Sequence, residues 1–400
     1  MKRWKLLAVL LASLMFFCAC GRKDSGAQTA SPEQAPQQEN LPEEPANTAP
    51  QTLTWDSLDW GEPLELTYAE QFAVDYADGY ARIVIDNITH LLVPEGGVVP
   101  EGVPEDVVIM QQPLQNIYLQ ATAAMDSFVE LGALDAITLS GTKADGWYIP
   151  AAREAMEAGR TVYAGKYSAP DYELIMSKNC DLALESTMIH HNPEVKEQFE
   201  RLGIPVLVER SSYETHPLGR MEWIKLYGVL MGKEAEAAAF FDEQLARLAP
   251  VLEQENTGKT VAFFYITSNG MASVRKSGDY ISKAIDLAGG VYVFKDLTGE
   301  DNALSTMNMQ MESFYDGAKD ADILIYNSAI DADLSTIDEL VGKSAPLADF
   351  KAVQSGDVWC TGKSMFQEAL SVGDMILDMN AILTEENPSE DSMNYLHRLK

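Results

Sequence analysis

The sequence predicts an α/β body made of two lobes joined by one long helix, with a cleft between the lobes. Three observations lead there. Short β-branched runs alternate with helical runs between residues 117 and 208. The same alternation restarts at Val261. Between the two lies a stretch with helical spacing and no strand signal.

The elements follow in order. Phe72–Tyr76 and Arg82–Ile85 flank Asp78-Gly79, a hairpin turn. Pro94 to Pro104 is rich in proline and glycine and interrupts the pattern. Strand signals follow at Ile117–Leu119, Ala136–Leu139, Thr161–Tyr163, Leu182–Leu184 and Pro205–Val208. Helical runs at 123–131, 149–158, 172–177 and 193–202 separate them, which is the grammar of a mostly parallel sheet covered on both faces.

Pro217 to Glu255 reads as helix broken once, at Gly232. Its second half places Ala235, Ala238, Phe241, Leu245, Leu248 and Leu252 at spacings of three and four. Strands return at Val261–Ile266, Ile323–Tyr326 and Val358–Cys360. Helices are expected at 281–288, capped by Gly289-Gly290, at 311–318 and at 366–383.

The first residues have a different character. Lys2, Arg3 and Lys5 precede an apolar run, Leu6 to Phe17, that is too short to span a bilayer as a mature helix. It ends in Phe17-Cys18-Ala19-Cys20-Gly21, which resembles a lipobox and implies a diacylated Cys20 on the outer face of a membrane. Arg22 to Gln51 is rich in Ala, Gln, Glu, Pro and Ser; it buries too little apolar surface to offset its ordering entropy and reads as a leash. The expected division is therefore a signal peptide at 1–19, a lipidated linker at 20–51, a first lobe at 52–231, a linking helix at 232–257 and a second lobe at 258–400.

A formal charge of −32 argues against nucleic acid and anionic lipid as partners. Contact with the membrane is expected through the lipid alone, and the body is expected to be monomeric. Of four cysteines, Cys180 and Cys360 remain in the body, each beside a strand-like run, where they read as buried small hydrophobes.

The chain lacks the common signatures of catalysis. Gly-Lys-Ser/Thr occurs at Gly258, Gly342 and Gly362, but Glu253, Ile337 and Asp357 stand where a P-loop needs its first glycine. There is no G-x-S-x-G, H-E-x-x-H or G-x-G-x-x-G. Asp331-Ala-Asp333 hints at a calcium loop, but Thr336 and Gly342 replace its glycine and closing glutamate. Histidine is scarce, and adjacent His190 and His191 do not converge on one ion, so no metal or cofactor is expected.

Loops after strands carry the informative chemistry, because open α/β sheets bind ligands beyond the carboxyl ends of their strands. In the first half these loops offer Trp147 and Tyr148, then Lys166 and Tyr167, then Thr187, then Arg210 and Tyr213. In the second they offer Asn269, Arg275 and Lys276, then Asn327, then Lys363 and Phe366. With 61 acidic and 29 basic residues overall, basic groups are over-supplied at these positions. A sizeable, partly flat, anionic ligand suits them, with Trp147, Tyr148, Arg275 and Lys363 expected to face one another across the lobes.

Residues 110–385 resemble the substrate-binding lipoproteins of ABC importers that serve ferric siderophores, haem and vitamin B12. The segment from Tyr172-Glu173 through Asp181 to Leu184 matches that family's run of glutamate, short helix, aspartate and apolar strand. Met311-Glu312 through Asp322 to Tyr326 is its looser counterpart in the second half. The resemblance implies a non-catalytic subunit that delivers an iron chelate, or haem or cobalamin, to a permease and its ATPase subunits. It further implies that Glu173 and Glu312 dock on permease arginines and that a rigid linking helix leaves the cleft largely preformed. The rival readings are an extracellular α/β enzyme, which would need a convergent catalytic set, and a zinc or manganese carrier, which would need several His/Asp/Glu ligands.

Overall fold

The computed structural model describes residues 53–298, 306–331 and 333–400; the expected signal, Cys20 anchor and leash lie outside them. Strands β1 (Phe72–Ala77), β2 (Tyr80–Ile85), β3 (Ile88–Val93) and β4 (Val108–Gln111) form a four-stranded sheet in that order. Two tight turns set its register. Asp78 and Gly79 sit at φ 50° and 86°, and Asp86 and Asn87 at 50° and 62°. Positive φ at both central residues matches the right-handed twist of the flanking strands.

The first lobe is a parallel sheet in the order β11-β10-β5-β6-β7. Its strands are β5 (Ile117–Leu119), β6 (Leu139–Ser140), β7 (Val162–Tyr163), β10 (Leu182–Ser186) and β11 (Val206–Glu209). A small hairpin, β8 (Gly165–Lys166) with β9 (Ala169–Pro170), stands apart. The crossovers carry α1 (Met125–Glu130), α2 (Pro150–Glu157), α3 (Tyr172–Ser177) and α4 (Pro193–Arg201). The strands are buried nearly throughout, as expected of parallel strands covered on both faces.

Three helices follow where the sequence suggested two: α5 (Pro217–Glu222), α6 (Ile224–Met231) and α7 (Glu234–Leu252). Gly232 ends α6 at φ 64°, the left-handed position that favours glycine. The additional break is at Trp223 and has no glycine or proline to announce it. It is fixed by tertiary bonds. Trp223 Nε1 donates to Glu214 Oε1 at 2.8 Å. Glu222 is fully buried and accepts from the backbone N–H groups of Thr67, Tyr68 and Ala69 at 2.8–3.1 Å. The Lys225 ammonium, 2.7 Å away, completes the partners that make a buried carboxylate tolerable.

The second lobe is a seven-stranded mixed sheet. β12 (Thr260–Ile266), β16 (Ile323–Tyr326) and β17 (Val358–Thr361) run parallel at its centre. β13 (Ala272–Arg275) pairs antiparallel with β12 and with β15 (Thr306–Met309), β14 (Val291–Tyr292) runs parallel to β12, and β18 (Leu396–Arg398) closes the far edge antiparallel to β17. Its helices are α8 (Tyr280–Leu287), α9 (Met311–Ala318), α10 (Ile337–Lys343), α11 (Lys351–Ser355) and α12 (Val372–Thr384). Thr336, which spoils the calcium-loop reading, caps α10: its Oγ1 accepts from Glu339 N while Glu339 reaches back to the Thr336 N–H.

One apolar core runs from Phe72 and Val74 of the small sheet through α5, α6 and α7 to α8, α12 and the inner face of β12. Each large sheet has a second core on its other face. The two lobes thus share buried side chains, and their relative placement is set by packing as well as by the connection.

Candidate functional site

The residues singled out by sequence occupy several environments. Tyr148, 43% exposed, and Lys166 lie at the surface of the first lobe, with Tyr167 and Thr187 half-buried. Trp147 is a correction: its indole is fully buried, donating Nε1–H to Ser140 Oγ at 3.2 Å, so it belongs to the core and not to a cleft wall. Arg210 lies over the Tyr213 ring at 4.2 Å and pairs with Asp86 of the β2–β3 turn at 2.7 Å.

In the second lobe, Asn269 is exposed in the β12–β13 turn and Lys276 is half-buried. Asn327 is buried and accepts from Ala329 N at 3.1 Å, turning the chain after β16. Lys363 donates to the carbonyl oxygen of Asp331. Trp147, Arg275 and Lys363 are thus each held within their own lobe. Arg275 and Phe366 do come together, with the guanidinium 5.8 Å from the ring centre.

That pair belongs to a larger constellation between the lobes. Arg275, at the end of β13, is buried; its Nη1 lies 3.2 Å from Asp279 Oδ2, while its Nη2 is buried with no hydrogen-bond partner. Burial opposes its charge, but Asp279, Tyr280 and Tyr292 together hold the guanidinium above its ordinary pKa. Tyr280 opens α8, and its ring carries the guanidinium of Arg220 at 4.8 Å. Arg220 comes from α5 and is 3% exposed, yet it makes no hydrogen bond or ion pair among the described residues.

The carboxyl groups beside Arg220 only partly offset it. Burial raises Asp126, at the start of α1, to about 8, against hydrogen bonds from the Ser127 and Leu370 N–H groups. Burial raises Glu209, at the end of β11, as well, against a 2.6 Å hydrogen bond from Ser211 N. Two cations, from α5 and β13, therefore sit among aromatic rings, and Arg275 Nη2 is a buried donor that is costly to leave unsatisfied. An acidic oxygen ligand with flat aromatic or conjugated surface is the chemical complement.

Sequence reading found Arg275 and Phe366 but missed Arg220, Tyr280 and Asp126. The available signal for Arg220 was a lone arginine among Pro217, Leu218, Gly219 and Met221, in a stretch otherwise poor in charge before Glu222.

Glu173 and Glu312 occupy corresponding positions. Each is exposed in the first turn of a short helix, α3 or α9, that leads into a buried strand. Asp171 caps α3 by accepting from Leu174 N at 3.0 Å. Glu312 borders a surface depression of about 520 Å³ with Met311, Tyr315, Asp316, Pro346 and Asp349. His190 and His191 are exposed in a single 3-10 turn, and neither joins a group of three or more His, Cys, Asp or Glu side chains among the described residues.

A family model described as periplasmic binding protein matches residues 121–364. An uncharacterized lipoprotein of Methanocaldococcus jannaschii is 28% identical over 286 residues, covering 68% of this chain. That stretch is 66% of the relative, so the chain spans just under two thirds of its length. Among solved structures, the petrobactin-binding protein YclQ of Bacillus subtilis superposes with a TM-score of 0.55 at 13% identity, covering 75% of this chain and 96% of that one. The periplasmic heme binding protein HutB of Vibrio cholerae gives 0.54 at 16%, covering 67% and 97%. At these identities the structural likeness is one of fold.

Proposed function

The chain belongs to the periplasmic binding protein family, and on that premise we propose that it is the extracytoplasmic capture subunit of an ABC importer whose cargo is an anionic iron chelate. The observation that carries the choice of ligand is the pair Arg220 and Arg275, two buried guanidiniums beside Tyr280 and Phe366, with Arg275 Nη2 left without a hydrogen-bond partner. A chelate with catecholate or carboxylate oxygens meets both needs: its charge pairs with the guanidiniums and its rings cover the aromatic faces. Each charge-assisted contact contributes on the order of 1.5–3 kcal/mol.

The anchor is Cys20, and the partners are a permease and its ATPase subunits, met through Glu173 and Glu312. The chain is a binding protein that releases its ligand unchanged. Haem is the second reading, favoured by the exposed Tyr148 ring as a candidate axial ligand.

The test is a titration of the purified protein with a ferric catecholate, a ferric hydroxamate, haemin and cobalamin, followed by tryptophan fluorescence. Saturable binding of a ferric chelate at micromolar or lower concentration supports the proposal. Binding of cobalamin alone would replace the anionic ligand with a corrinoid, and binding of none of the four would remove the reading.

A further inference from the structure

The second lobe brings three potential metal ligands of different chemistry together, away from the arginine pair. Cys360 on β17 and His397 on β18 are direct cross-strand partners, which sets their Cβ atoms about 5 Å apart on one face of the sheet. Asp333, in the loop after β16, completes the group. One donor atom from each residue lies within 4.8 Å of the other two, and among the described residues this is the one grouping of three or more His, Cys, Asp or Glu side chains so placed.

The surroundings are those of a held ligand set. His397 Nε2 lies 2.8 Å from the Leu334 carbonyl oxygen, which accepts its N–H and leaves Nδ1 as the second ring nitrogen. The imidazole also contacts the Cys360 side chain. Ser328 Oγ is 2.6 Å from Cys360 Sγ, a hydroxyl placed to donate to a thiolate. A backbone carbonyl that fixes the histidine ring and a donor on the cysteine sulfur are the outer contacts that orient and tune metal ligands.

We propose that Asp333, Cys360 and His397 form a site for a borderline-soft divalent cation of the zinc class, which ties the C-terminal strand to the second lobe. Thiolate with imidazole selects such an ion over calcium or magnesium, which prefer all-oxygen sets. Bond lengths of about 2.0–2.3 Å in tetrahedral geometry place ligand atoms roughly 3.3–3.8 Å apart. The three side chains therefore need to close by only about 1 Å. Asp333 is exposed, with Oδ1 already 3.7 Å from His397 Nε2, whereas Cys360 is fully buried. Three protein ligands leave the fourth position to water from the exposed side. The bland alternative is a hydrogen-bonded clasp on the terminal strand with no affinity for metal.

Cobalt(II) distinguishes the two, because a bound thiolate gives it a charge-transfer absorption. The wild-type full-length protein, purified in detergent and stripped with chelator, is titrated with cobalt and then with zinc as competitor. The expected result is one equivalent of cobalt with the thiolate band, displaced by zinc, and a melting temperature that rises with added zinc. Cys360→Ser loses the band. Asp333→Asn, which alters only an exposed side chain, weakens cobalt at least about tenfold. Cys180→Ser keeps both band and affinity. No stoichiometric cobalt binding by the wild type overturns the proposal. So does a band that survives Cys360→Ser, one lost in Cys180→Ser, or undiminished affinity in Asp333→Asn. None of these readouts involves the ligand cleft.

Discussion

Gln367 of the second lobe holds the chain of the first at two points on either side of Trp147. Its Nε2 donates to the Gly146 carbonyl oxygen and its Oε1 accepts from the Tyr148 N–H, both at 2.7 Å. The amide is used as donor and acceptor at once, so only one orientation satisfies both bonds. Three residues later the Leu370 N–H donates to Asp126 Oδ2 at 2.6 Å, a second polar tie between the lobes.

Replacing Gln367 by alanine leaves a part-buried carbonyl and a part-buried N–H without this partner. Gln367→Ala is expected to lower the unfolding free energy by about 1–3 kcal/mol. Urea denaturation at fixed pH measures it. An unchanged midpoint with an unchanged slope would show that the tie contributes nothing to holding the lobes.

The two arginines should separate affinity from stability. Arg220 makes no direct ion pair, although its charge favours the ionised forms of Asp126 and Glu209, so Arg220→Gln is expected to raise the dissociation constant for an anionic chelate about 10–100-fold with a smaller loss of stability than at Arg275. Arg275→Gln removes the partner of a fully buried Asp279 carboxyl, and should cost about 3–5 kcal/mol of stability in addition to affinity. Ligand titration and thermal melting on both variants test the split. Unchanged affinity in both would argue strongly against an anion at this position.

Glu185 gives the fold a pH dependence of known sign. It is fully buried on β10, and neither carboxylate oxygen has a hydrogen-bond partner. Burial raises its pKa from 4.5 to about 8. The unfolded chain ionises this group above pH 4.5 while the folded protein keeps it protonated, so its contribution is fully present below 4.5 and is lost as pH rises to about 8. Glu185→Gln should therefore be near neutral at pH 4 and stabilise by a few kcal/mol at pH 8. Parallel stability curves for variant and wild type across that range would contradict the assignment.

Sequence periodicity located several strands that lie inside the sheets, because their apolar runs are dictated by burial on both faces, but it placed β6 three residues early and did not read β13. The runs read at 182–184, 261–266 and 323–326 fall within or on β10, β12 and β16. Helices α3 and α9 coincide with the expected 172–177 and 311–318. Edge elements were less legible. Thr306–Met309 has no β-branched run, and Leu396–Arg398 is a strand because it pairs with β17. The site was harder still. A charged side chain normally marks a solvated face, and only the packing of α5 against α8 and α12 buries Arg220. Trp147 misled in the opposite direction: a position after a strand suggested a cleft, but Ser140 and Arg153 hold it inward, the latter donating Nε–H to the Trp147 carbonyl at 3.0 Å.

Glu173 and Glu312 provide the test of coupling to a permease. Both are exposed carboxylates in the first turn of a helix, where the N-terminal dipole favours negative charge, so first-turn placement alone would account for them. What distinguishes docking is their arrangement, one on each lobe of a body whose lobes share a core. Two carboxylates on separate lobes can engage two basic pockets together, which fixes orientation as well as adding attraction. Neither belongs to the arginine-aromatic constellation between the lobes. Glu173→Arg is therefore expected to abolish uptake of a labelled chelate in cells while leaving its affinity in solution unchanged. Glu312→Arg should act in the same direction, its depression retaining Asp316 and Asp349 as neighbouring acids. Uptake and titration are measured on the same variants. Normal import by Glu173→Arg, or loss of solution affinity in that variant, would remove Glu173 from the docking role.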